Sequence, residues 1–168
     1  VCGPLLFLIY IISIQHICKQ FMEYFSFADD STLVFSANSN EELRQNINTA
    51  IPLIQEWFSS HYLTLNSKKT KIMHMFGANP GDTYLDGEKI EVVHDFKLLG
   101  VHIDYKLTWE PHAKHILNKI RSVLYYLRKL KYKLDTSNKL LIYKGLLQSR
   151  ISFALPMWQC MPQKYQQK

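Results

Sequence analysis

The stretch Glu23–Ser36, EYFSFADDSTLVFS, places two adjacent carboxylates between two runs of strand-forming residues. Tyr24 to Phe27 and Leu33 to Phe35 have the aromatic and apolar character of paired strands, and Ala28–Asp29–Asp30–Ser31 is short enough to connect them as a hairpin. So apolar a hairpin is expected to be buried on its faces, yet it carries two charges at its tip. At ~5 Å and an effective dielectric near 20, such charges repel by about 3 kcal/mol, so the tip must reach water, a proton or a cation. Two readings follow. Aspartate forms turns through its own side-chain hydrogen bonds. Paired carboxylates also suit magnesium, a hard cation that keeps waters and takes further oxygens from a partner carboxylate and from substrate phosphates.

The remaining chain frames that hairpin. Leu5 to Ile14 is apolar or aromatic at every position but Ser13. A membrane-spanning helix needs about 20 such residues, so the run predicts a buried core helix. Between Ser39 and Ser60, Leu43, Ile47, Ala50, Ile51, Ile54 and Phe58 recur at helical spacing, and Ser39 with Glu42 resembles a capping box. Pro52 lies inside that helix and is expected to kink or split it. NSKKTKIMHMF then reads as a turn at Asn66, three lysines and a strand ending at Phe76. Asp86–Gly87 in TYLDGEKIEVV signals a tight hairpin turn, and FKLLGVHID reads as the next strand.

From Thr108 the period changes. Ile116, Ile120, Val123, Leu124, Leu127 and Leu130 predict a long amphipathic helix beginning near Glu110–Pro111, with Lys114, Lys119, Arg121, Arg128 and Lys129 on its other face. A second helix is expected from Thr136 or Ser137, presenting Leu140, Leu141, Leu147 and Ile151 and breaking at Pro156. The order is helix, hairpin, helix, strand, hairpin, strand and two helices, an α+β layout rather than a βαβ alternation.

Charge is distributed unevenly. Residues 1–109 carry 8 Lys/Arg against 12 Asp/Glu, whereas residues 110–145 carry 9 against 2. A basic half beside an acidic half suits a polyanion held near a cation, and equally suits two solvated surfaces. Cys2, Cys18 and Cys160 have neither disulfide-framework nor zinc spacing, which predicts a reducing, intracellular compartment such as nucleus or cytoplasm rather than secretion. The start at Val1, mid-pattern and without methionine, reads as a piece of a longer chain.

The segments GPLLFLIYI, FADDSTLVF, LTLNSKKTKIM, FKLLGVHID, LTWEPHAKHI and YKGLLQSRISFALPMW stand in one order along the chain. Together they resemble the reverse transcriptase of non-LTR, LINE-type (jockey-like) retrotransposons, with Phe27 where many relatives carry tyrosine. The resemblance implies a partial polymerase palm over residues 1–107, an antiparallel sheet with packed helices, followed by a truncated helical thumb over 108–168. It implies that Asp29 and Asp30 join an upstream aspartate in holding two Mg2+ ions, Asp29 as the essential ligand, and that Lys69 neutralises the leaving pyrophosphate. Leu99 and Gly100 of FKLLGVHID would belong to a primer-grip hairpin, and Lys114, Arg121 and Arg128 would contact nucleic-acid phosphates. The implied partners are an RNA template, a DNA primer and deoxynucleoside triphosphates, with no membrane.

Departures temper the implication. Only Gly3–Pro4 remains of the family's glutamine–glycine element, Cys2 stands at a usually aliphatic position, and IYIISI replaces IYINDL. No other acidic residue is an obvious substitute for the upstream aspartate, so the 168 residues alone are expected to be inactive as a polymerase. A non-catalytic nucleic-acid-binding remnant or domesticated module is the alternative.

Overall fold

The structure, a computed structural model, describes residues 2–18 and 22–153. The chain divides into two compact units, Val1–Val92 and Val93–Lys168. Helices mix with small two-stranded sheets, an α+β architecture.

In the first unit, α1 (Gly3–Ile11) and α2 (Ile14–Cys18) lead into the hairpin of β1 (Glu23–Phe27) and β2 (Asp30–Val34). A 21-residue helix, α3 (Asn40–Ser60), follows. Ser39 caps α3 by accepting the Glu42 N–H at 3.1 Å, while the Glu42 carboxylate takes the N–H of Asn38. The core gathers Ile11, Ile14, Met22, Ala50, Ile54, Trp57 and Phe58, against which Tyr24, Leu33 and Phe35 pack from the hairpin. Burial of this apolar set holds the hairpin's base on α3.

Three expectations are corrected here. Leu5–Ile14 is not a buried helix: Leu6 and Ile9 are 62% and 63% exposed, while Ile11 and Ile14 enter the core and half-buried Phe7 packs against it. A helix apolar all round has no preferred side to hide, and here one side alone meets packing partners. Among the described residues no helix is long and apolar enough to cross a membrane. Pro52 does not split α3, which runs unbroken from Asn40 to Ser60. It sits on the exposed face, where water can satisfy the carbonyl it strands, while buried Ile47, Ala50, Ile54, Trp57 and Phe58 clamp both halves. The hairpin, finally, is buried on one face only, with Phe25, Phe27 and Val34 exposed on the other.

Beyond α3, the strand predicted to reach Phe76 is cut to β3 (Lys71–Ile72). Phe76 itself lies in a 3-10 turn at φ 53°, so the extended path cannot continue through it. Strands β4 (Tyr84–Leu85) and β5 (Glu88–Lys89) form the expected hairpin, with Asp86 and Gly87 at φ 51° and 78°. Those two positive angles match the two-residue turn that follows strand twist. β6 (Glu91–Val92) pairs parallel with β3.

In the second unit FKLLGVHID is not the one strand its residues suggest but a hairpin, as the family resemblance implied. It folds back as β7 (Asp95–Leu98) and β8 (Val101–Asp104), turning at Leu99 and Gly100, both at positive φ. α4 (Glu110–Lys129) packs on β8 and on the π-helical turn Tyr143–Gln148 that joins α5 (Thr136–Ile142) to α6 (Ser149–Ser152). Asp135 caps α5 through the Asn138 N–H, at the predicted start. Of the four apolar residues expected to face the core here, Leu147 is buried while Leu140, Leu141 and Ile151 are exposed, because the π turn rotates the stripe away from a single face. The break expected at Pro156, together with Trp158 and Cys160, lies outside the described residues.

Candidate functional site

The hairpin register sets the geometry of the paired aspartates. Phe27 pairs with Asp30, leaving Ala28 and Asp29 as a two-residue turn, so Asp30 and Ser31 begin β2 rather than belonging to the connection. Ala28 takes φ 53°, the left-handed value that reverses the chain there. By strand alternation Asp30 shares the outer face with Phe25, Phe27 and Thr32, while Tyr24, Ser26, Ser31 and Leu33 share the inner one. The Tyr24 hydroxyl and the Ser31 Oγ, 2.9 Å apart, tie the strands together just behind the tip.

Asp29 and Asp30 are both exposed. Among the described residues, neither carboxylate takes part in a side-chain hydrogen bond or ion pair. Also among the described residues, no three His, Cys, Asp or Glu side chains gather to hold a metal. Two adjacent, open carboxylates, Asp29 in the turn and Asp30 opening β2, fit a cation of magnesium's habit, which takes one or two carboxylates and completes its shell with water and phosphate oxygens.

Lys69 stands exposed in the turn after α3, its backbone N–H donated to the Asn66 side chain at 3.1 Å. Its neighbour Lys71 is engaged by Glu91 across the β3–β6 pair, whereas Lys69 has no ion-pair partner among the described residues. Among the described residues no hydrogen bond or ion pair joins Lys69 to the aspartates.

In the second unit, Leu99 and Gly100 form the β7–β8 turn, Gly100 at φ 89°. A Cβ there would lie 3.5 Å from the Phe153 ring, ordinary contact, so the positive angle rather than space selects glycine. Lys114, Arg121 and Arg128 recur every seven residues along α4 and are all exposed. Seven residues is nearly two helical turns, so the three form one slowly drifting stripe. Lys114 pairs with Glu110 at 3.6 Å, while Arg121 and Arg128 have no ion-pair partner among the described residues. Exposed tyrosines accompany the basic surface: Lys129 lies 4.7 Å over the Tyr125 ring and Lys131 5.0 Å over Tyr132.

Sequence reasoning missed two features. Asp104, 8% exposed, organises the turn into α4 by accepting hydrogen bonds from Thr108 and Trp109. The signal was an aspartate at the end of a strand, a residue whose side chain commonly hydrogen-bonds the backbone of the turn that follows. The structure also gathers Lys97, His115, Lys119 and Arg150 around one cavity, a grouping that sequence reading did not bring together.

Comparison with known proteins bears on the family of the chain. The reverse transcriptase (RNA-dependent DNA polymerase) family matches residues 1–103, which include the aspartate hairpin and the β7–β8 turn. The Pol polyprotein of the type-1 retrotransposable element R1 from Bradysia coprophila is 26% identical over 140 residues, covering 79% of this chain and 14% of that protein. The probable RNA-directed DNA polymerase from transposon X-element of Drosophila melanogaster is 25% identical, covering 79% and 15%. That of the mobile element jockey from Drosophila funebris is 24% identical, with the same coverage. The chain thus spans about one seventh of the length of these curated relatives. No solved structure is significantly similar. With more than half its length matched, the chain belongs to the reverse transcriptase (RNA-dependent DNA polymerase) family.

Proposed function

We propose that this chain is the palm-to-thumb part of a non-LTR retrotransposon polymerase that copies an RNA template into DNA from a DNA primer and deoxynucleoside triphosphates. The observation that carries the reading is the hairpin tip, where Asp29 and Asp30 stand open to solvent inside the segment shared with the family. Reverse transcriptases generally use divalent metal ions. Asp29 and Asp30 would hold Mg2+, with Asp29 the principal ligand, in a complete site of two ions. The metal supplies charge neutralisation at the transferring phosphoryl group and activation of the primer hydroxyl.

The chain's own residues have separable tasks in this account. The Tyr24–Ser31 contact and the packing of Leu33 hold the hairpin rigid, so the carboxylates keep their place against the substrate. Lys69 offers an ammonium to the leaving pyrophosphate. Leu99 and Gly100 seat the primer end on the tight β7–β8 turn, which the positive φ of Gly100 permits. Lys114, Arg121 and Arg128 draw in the phosphates of the template–primer duplex. The palm is assigned to residues 1–107 and the thumb to 108–168. By themselves the 168 residues are proposed not to extend a primer, since the family's metal site takes a further aspartate from upstream.

A second reading, nucleic-acid binding without catalysis, is favoured by one observation, the exposed Arg121 and Arg128, without an ion-pair partner among the described residues, beside exposed tyrosines. Primer extension by the R1-type polymerase carrying this chain in place of its own matching segment distinguishes the two. Polymerisation predicts Mg2+-dependent extension that Asp29→Asn reduces at least ~100-fold, the scale of lost transition-state charge stabilisation. Equal extension by the variant would overturn the metal assignment, and duplex binding without extension would favour the second reading.

A further inference from the structure

The cavity missed by the sequence reading lies in the second unit, between the β7–β8 turn, the middle of α4 and α6. Its volume is about 270 Å³. Lys97 reaches it from β7, His115 and Lys119 from successive turns of α4, and Arg150 from α6, while Ile116 and Phe153 give it an apolar side. None of the lining residues is acidic.

Three permanent cations around one small cavity repel one another, and the protein supplies no counter-charge among the lining groups. The arrangement is nonetheless held. Arg150 Nη1 donates to the Lys119 carbonyl oxygen at 3.4 Å, which anchors the guanidinium on α4 and leaves its other donors free to turn to a ligand. Burial and the charges of Lys119, His102, Lys97 and Arg150 together hold the His115 imidazole below its usual pKa, so it senses the same concentrated positive field. Ser149 already donates its hydroxyl to the Gly145 carbonyl, leaving the nitrogen groups as the donors available to an anion.

We propose that Lys97, His115, Lys119 and Arg150 form a binding pocket for a phosphate group, occupied by an internucleotide phosphate when nucleic acid is bound. A guanidinium and two ammonium groups suit a tetrahedral anion approached from several sides. The assignment of a phosphate pocket stands on the cavity alone, whereas its occupant rests on the nucleic-acid reading above. The pocket is distinct from the α4 stripe of Lys114, Arg121 and Arg128.

The test uses the full 168-residue chain and the imidazole NMR signals of His115, assigned by loss in His115→Gln. Inorganic phosphate and an RNA/DNA hybrid are titrated separately, with duplex binding followed in parallel by fluorescence anisotropy. Both ligands should move the His115 signals, and the double variant Lys97→Gln/Lys119→Gln, altered at two exposed positions, should weaken phosphate binding at least about tenfold. The same variant should lower the salt dependence of duplex binding by about one to two phosphate contacts, while Lys133→Gln leaves the His115 response unchanged. A phosphate response with a duplex that binds but leaves His115 unmoved would keep the pocket and overturn its internucleotide occupant. No duplex binding at all would defeat the nucleic-acid reading, with the phosphate titration still deciding the pocket. No response to phosphate, or an equal response in the double variant, would overturn the pocket itself.

Discussion

Asp104 Oδ1 accepts the backbone N–H of Trp109 at 2.9 Å, five residues further along and immediately before α4. Its Oδ2 takes the Thr108 N–H at 3.2 Å and the Thr108 hydroxyl at 3.0 Å, with Lys106 N–H at 3.3 Å. One buried carboxylate thereby fixes how the β7–β8 hairpin feeds the basic helix. Asp104→Ala would leave several buried donors unsatisfied and is expected to destabilise the chain by about 2–4 kcal/mol. Urea denaturation followed by circular dichroism measures this, and a loss below ~0.5 kcal/mol would deny Asp104 its organising part.

His112, wholly buried on α4, sets a pH dependence. Its Nδ1 accepts the His102 N–H at 3.4 Å. Burial first, and then the charges of His102 and His115, lower its pKa from the usual value. A group whose folded pKa is depressed binds its proton more readily when unfolded. Stability is therefore full above the unfolded value of about 6.5 and falls as pH drops below it, by up to about 1.4 kcal/mol per pH unit per proton. His115 shifts the same way, so His112→Leu should reduce this slope without abolishing it. Urea midpoints between pH 5 and 8 check the sign, and stability that rises on acidification through this range would contradict it.

Ala28 adopts φ 53° at the hairpin tip, where a side chain is disfavoured by about 1–2 kcal/mol. Ala28→Gly relieves that strain but adds unfolded-state freedom, so a net gain of up to ~1 kcal/mol is expected. Ala28→Val should lose at least ~1 kcal/mol, because a β-branched residue tolerates positive φ less well. Thermal melts of the two variants should bracket the parent chain.

The apolar run near the N-terminus gives opposite outcomes for neighbouring residues. Ile14 is 0% exposed, so Ile14→Ala should cost about 2–5 kcal/mol. Ile9, 63% exposed, should tolerate Ile9→Gln within ~0.5 kcal/mol and bind less hydrophobic dye. Equal losses at both positions would contradict the packing described here.

Much of this was legible because some signals are local. The Asp86–Gly87 turn, the Ser39 cap, the start of α4 and the carboxylate tip each rest on a few adjacent residues whose backbone chemistry leaves little choice. What escaped depends on packing. Apolar composition gave no clue that α1 meets neighbours on one side only, and the Pro52 penalty is local whereas the five buried side chains of α3 act along the whole helix. From its residues alone FKLLGVHID looked like one strand because Leu99 is a poor residue for positive φ, and the hairpin was legible only through the family resemblance. Lys97 and Arg150 are far apart in sequence, so only the folding of α6 back onto α4 brings them to one cavity.

Paramagnetic broadening by Mn2+, a spectroscopic stand-in for magnesium, in the presence of a deoxynucleoside triphosphate is the most direct test of the central claim. The account predicts loss of backbone amide signals concentrated at Ala28 to Ser31, abolished by Asp29→Asn with Asp30→Asn. Broadening elsewhere with none at the hairpin tip, or tip broadening unchanged in the double variant, would contradict the assignment of these two aspartates as metal ligands.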